Sequence, residues 1–106
     1  MEYCGFVSGR DSDKFARQRL TPASGSRVQT PIIEECPINI ECRLVDTLPL
    51  GSHHLFVGEV LAVHLSEELL DERGRVGNGK LKPILFTGDE YWGLGSLLGR
   101  FGSRRK

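Results

Sequence analysis

The chain has no apolar run approaching the ~20 residues of a membrane-spanning helix, which argues against a membrane protein built on helices. Its first residues, Met1-Glu2-Tyr3-Cys4-Gly5, lack the charged and apolar regions of a secretory leader. There is no excess charge of either sign. Fourteen Lys and Arg balance fourteen Asp and Glu, so no global field draws nucleic acid or an anionic membrane. The one basic cluster, Arg104-Arg105-Lys106, reads as a solvated end. The three cysteines are odd in number and carry no CxxC spacing, which fits a reducing compartment and points to the cytoplasm. Cys36 and Cys42, if on one strand, lie ~20 Å apart, too far for a disulfide. No spaced Cys/His set suggests zinc. Gly9 belongs to no GxGxxG or Walker pattern, and no Ser-His-Asp triad or carboxylate dyad is visible.

What is present is one dense apolar ribbon in a chain of 106 residues, long enough for one domain with a modest core. Gly51 to Leu65 opens on His53 and His54. One parity carries Leu55, Val57, Leu61, Val63 and Leu65; the other carries Phe56, Val60 and Ala62. Both faces are apolar, which predicts a strand buried on two sides. Its β-branched and aromatic residues favour strand over helix. Glu59 interrupts the run and is expected to face solvent, a partner or a polar cavity.

Around it the chain reads as short elements. Ser8 to Asp11 is a turn. Asp11 or Ser12 caps a helix from Asp13 to about Leu20, ended by Thr21-Pro22. Ala23 to Thr30 is a polar loop, and Pro31 to Cys36 an edge strand flanked by prolines. From Ile38 to Asp46, apolar Ile38, Ile40, Cys42 and Leu44 alternate with Asn39, Glu41 and Arg43, predicting a half-buried strand with its polar residues outward. This strand and the central one form an antiparallel hairpin with a longer loop. Ser66 caps a turn over Glu67–Leu70, and Asp71–Arg75 reverses the chain. Lys82 to Thr87 is a last strand. Gly88 to Gly102 is a folded-back arm with a short helix near Ser96. The fold class is mainly β, a β-rich α+β meander with one or two short helices. A closed small barrel needs more strands than these, so a long apolar edge is left over.

Several stretches, in order, resemble the flavin reductase-like family of FMN-binding split barrels, nearest its flavoredoxin branch. They are Tyr3-Cys4-Gly5, Ser8-Gly9-Arg10-Asp11 and Asp13-Lys14-Phe15, then Glu35-Cys36-Pro37 and Glu41-Cys42-Arg43. Gly51-Ser52-His53, Leu55-Phe56-Val57-Gly58-Glu59-Val60, Lys82-Pro83-Ile84-Leu85, Tyr91-Trp92 and Leu94-Gly95 complete the set. A domain of that family begins well before the counterpart of Tyr3. The resemblance therefore implies that residues 1–106 are the C-terminal part of such a domain, a partial split β-barrel. It also implies FMN as cofactor, NAD(P)H as co-substrate, a homodimer, and flavin, iron or an electron-acceptor protein as the recipient of electrons.

The same resemblance assigns the candidate site. His53 opens the His-x-Leu-Phe-x-Gly-Glu motif and is implied beside flavin and nicotinamide, where an imidazole can donate a hydrogen bond. Its bland counterpart is a polar residue at a strand entry. Ser8, Arg10 and Lys14 are implied near the flavin phosphate, with Lys14 as a point charge and Ser8 as a neutral donor. Otherwise they are a solvated turn. Tyr91 and Trp92 can cover one face of the flavin ring, pack across a dimer, or pack in the arm. Cys4 reads as a small apolar thiol, and His54 and His64 as ordinary strand-end histidines.

Overall fold

The computed structural model describes residues 2–77 and 79–102. The basic cluster at residues 104–106 lies outside the described residues. Two units divide between Glu67 and Glu68, and each is described by itself.

The first unit opens with a helix not expected from the sequence, α1 (Glu2–Phe6), followed by α2 (Lys14–Arg17). The cap of α2 is Asp13, not the expected Asp11 or Ser12, and its carboxylate accepts from the Ala16 N–H at 3.2 Å. Placing the acid at the cap satisfies one of the free N–H groups of the first turn. The helix stops at Arg17, short of Leu20, because Arg19 turns into the left-handed region at φ 54°. β1 (Pro22–Ala23) and β2 (Ile32–Ile33) form a small antiparallel ribbon. Its root is fixed by Glu35, which accepts from Thr21 N–H and Oγ1, each at 2.7 Å.

The ribbon that dominates the unit is β3 (Ile38–Pro49) against β4 (His54–Leu65), antiparallel, with Leu50–His53 as the connection. The hairpin and its longer loop are as expected. Two irregularities break the register, between Glu41 and Cys42 and between Leu44 and Asp46. Each leaves an extra residue on one strand, which strengthens the local twist. Glu59 meets Arg43 across the strands at 2.8 Å, an exposed pair.

The expected burial pattern is reversed here. Glu41, assigned outward by alternation, is 2% exposed, whereas Ile40 and Leu44 are 56% and 61% exposed. The central strand was expected to be buried on two faces, yet Leu55, Phe56, Val57 and Val60 are all exposed. The physical reason is coverage. Segment 25–36 lies over the polar face and gives Glu41 its Ser26, Arg27 and Val28 partners, while the apolar side chains toward the tip stay exposed.

At the boundary of the units, Glu67–Leu69 forms the expected single turn as a 3₁₀ helix, and in the second unit the Asp71–Arg75 reversal is closed by Gly74 N–H to Asp71 carbonyl. Leu69, 6% exposed, is the buried apolar residue among those described. The last strand shortens to β5 (Leu85–Thr87), and a further strand, β6 (Glu90–Trp92), pairs with it. Gly88 and Asp89 connect them, both at positive φ, the twist-matched two-residue turn that favours such residues. The helix expected near Ser96 is absent. Residues 93–100 have no regular structure, because glycines 93, 95 and 99 each cost ~1 kcal/mol in a helix. The three pairs remain separate two-stranded sheets and do not join into one meander.

Candidate functional site

Two of the N-terminal candidates, Ser8 and Arg10, share one turn. Ser8 Oγ accepts from the Arg10 N–H at 3.2 Å, and the Asp11 N–H closes the turn on the Ser8 carbonyl at 3.0 Å. Lys14 begins α2, and its ammonium donates to the Cys4 carbonyl, tying the two helices together. A second tie joins Tyr3 Oη to Ser12 Oγ at 2.7 Å. The Tyr3 phenol is shifted below its ordinary pKa, first by that bond and then by Arg17. Arg10 is exposed, and residues 9–15 line an open groove of ≈ 640 Å³. A hydroxyl and a guanidinium in the turn and an ammonium at the start of α2 are donor types that suit an anionic phosphate group.

His53 sits in the β3–β4 connection. The Leu50 N–H donates to its carbonyl at 2.9 Å, and Ser52 Oγ lies 2.9 Å from its Nδ1. Gly51 takes φ 86°, the left-handed geometry this loop needs and glycine adopts freely. The ring is exposed, with Phe56 stacked on its neighbour His54 at 6.1 Å. Tyr91 and Trp92 lie in β6. Tyr91 packs on Phe86 at 5.1 Å and Trp92 pairs with Leu85, both aromatic residues remaining exposed. As neighbours on a strand they point to opposite faces.

Among the described residues, no hydrogen bond joins His53 to Ser8, Arg10 or Lys14. His53 lies on the exposed β3–β4 connection, and Arg10 and Lys14 line the groove formed by residues 9–15. Sequence reasoning missed Glu41 and His64. His64 Nε2 contacts the Glu41 carboxylate, which also accepts from Ser26, Arg27 and Val28. These contacts, the imidazole first, hold the Glu41 carboxyl well below the usual carboxylate range. The one linear hint is Gly25-Ser26, small enough to curl around a side chain.

Residues 1–95 match the flavin reductase like domain, and the chain belongs to that family. Its structure is similar to flavoredoxin of Desulfovibrio vulgaris (Miyazaki F), with TM-score 0.84 and 34% identity, covering 99% of this chain and 57% of that one. It is similar also to flavoredoxin from Methanosarcina acetivorans, with TM-score 0.82 and 35% identity, covering 97% of this chain and 55% of that one. An uncharacterized protein of Aquifex aeolicus is 31% identical over 80 residues, 76% of this chain and 41% of the relative. The chain thus spans about half the length of the relatives it matches. The mainly β split-barrel fold expected from the sequence holds at the level of these structural neighbours.

Proposed function

We propose that residues 1–106 are the C-terminal part of an FMN-binding split-barrel domain, and that the completed domain is an oxidoreductase moving electrons from NAD(P)H to flavin or a partner acceptor. The observation that carries this reading is the family match over residues 1–95. Ser8, Arg10 and Lys14 would hold the FMN phosphate. His53 would position the flavin and the nicotinamide by hydrogen bonding, and Tyr91 and Trp92 would cover a ring face. Hydride chemistry belongs to the cofactors, and the protein's share is alignment and electrostatics. A cytoplasmic homodimer suits the bare hairpin, since a second copy can cover what this chain leaves open.

The near absence of buried apolar side chains favours a second reading, a non-catalytic remnant or interaction module. The flavoredoxin likeness favours a third, an FMN electron carrier. FMN titration of the purified chain separates the first two: tight binding with a perturbed flavin spectrum supports the oxidoreductase, and no binding up to high micromolar FMN removes it for this chain. Stopped-flow mixing of the flavin complex with NADH then tests the carrier, which rapid bleaching rules out.

A further inference from the structure

Among the described residues, every hydrogen bond made by residues 24–30 goes to one side chain. The Ser26 N–H and Oγ donate to Glu41 Oε2 at 2.9 and 2.8 Å. The N–H groups of Arg27 and Val28 donate to Oε1 at 2.8 and 3.0 Å. Successive N–H groups converging on an anion form a nest, and here the anion is built into the neighbouring strand. Gly25 shows how closely the segment wraps. A Cβ there would sit 2.6 Å from Glu41 Oε1 and 2.8 Å from the Val28 carbonyl. His64, from β4, completes the ring of partners.

We propose that residues 24–30 are a strap latched by the single negative charge of Glu41, opening when that charge is lost while the β3–β4 ladder stays paired. Opening would bare the Glu41–His64 pair on the polar face of the hairpin. The ladder does not need the strap, since its pairing runs from Ile38–Leu65 to Pro49–His54 without any residue of 24–30.

The titratable group in contact with Glu41 is His64 from β4; Arg27 of the strap reaches it through its backbone N–H. Arg43, further along β3, is engaged by Glu59 at 2.8 Å. Because the Glu41 carboxyl is lowered, the latch is fully closed above the ordinary carboxylate range. It releases only as pH falls through the lowered value.

The test is residue-resolved amide hydrogen exchange on the full chain and on Glu41→Gln. The amide places an N–H₂ against the N–H donors of the strap and removes the charge. The expected result is slow exchange at Ser26, Arg27 and Val28 in the native chain. In Glu41→Gln these three amides exchange at the unprotected rate while the ladder amides remain protected. Continued protection of the three in Glu41→Gln, or joint loss of strap and ladder, overturns the proposal. Should Glu41→Gln fail to fold, an acid titration of the native chain and of His64→Gln decides. The strap amides open before the ladder in both, and at a higher pH in His64→Gln. Simultaneous opening of strap and ladder overturns the latch.

Discussion

The two halves of the β3–β4 hairpin differ sharply in what covers them. Near its open end, the face carrying Asn39, Glu41, Ala62 and His64 lies under segment 25–36, and its polar groups are paired. Toward the tip, from Leu44 to Phe56, neither face is covered, and Leu44, Val45, Leu48, Leu50, Leu55 and Phe56 are exposed. The chain meets its own polar demand and leaves its apolar demand open. This division has a physical basis. A buried carboxylate without partners is too costly to keep, so its partners must come from the same chain. Apolar surface can wait for any complementary surface, because its burial is non-directional.

If that division is right, the largest effect should come from the covered end. Glu41→Ala removes five partners at once, and the expected outcome is a fall in Tm of about 10 °C or more by circular dichroism. A fall of only a degree or two would mean that segment 25–36 contributes little to the cooperative unfolding of the hairpin. The same end governs acid stability. Glu41 and Glu35 both have carboxyl pKa values below their ordinary range, Glu41 first through His64 and Glu35 first through the Thr21 N–H. Their stabilisation is complete above the ordinary carboxylate pKa and disappears as pH falls through the lowered values. Thermal melts from pH 7 downward should therefore hold steady until below pH ~4, then drop.

A middle-sized effect is expected at Asn39. Its side chain accepts from the Ile33 N–H at 3.0 Å and donates to the carbonyls of Ile33 and Cys36 at 2.9 and 3.2 Å. Asn39→Ala should cost about 1–3 kcal/mol in urea unfolding. A loss of that size would place the anchoring of β2 in this side chain. A smaller effect belongs to Arg43→Ala. The Arg43–Glu59 pair is exposed at 65% and 52%, and such pairs are worth about 0–1 kcal/mol. A larger loss would indicate that this stretch is desolvated by a partner.

These contrasts explain what could be read from the sequence. Hairpin, turn and strand order were legible, since they depend on local rules: alternation, Gly51 and the prolines at 31 and 37. The family was legible because motif order survives in a linear string. The orientation of Glu41 was not. Alternation assigns a carboxylate outward, and nothing in Ile38 to Asp46 tells that a loop some fifteen positions upstream returns to meet it. The α1 helix was missed because Glu2 to Phe6 offers no cap or apolar periodicity. The short helix expected near Ser96 does not form, because Gly93, Gly95 and Gly99 disfavour it. Of the candidate site, Ser8 and Arg10 lie in one turn and Lys14 opens the helix after it, while His53, Tyr91 and Trp92 are each placed on an exposed turn or strand.

The smallest expected effect is the most informative about the bare end. Phe56 is 64% exposed near the tip of the hairpin, away from the end that segment 25–36 covers. In the chain alone, Phe56→Ser removes little buried surface, so the unfolding free energy should change by less than about 0.5 kcal/mol. The measurement should be repeated across protein concentration. A large apolar patch on a free chain associates, and a dimer linked to folding raises Tm as concentration rises. If the tip of the hairpin is where two copies meet, the native Tm should climb with concentration and that of Phe56→Ser should not. If Phe56→Ser is instead strongly destabilising at every concentration, the tip is covered within the chain. The contrast between a closed polar end and an open apolar one then fails.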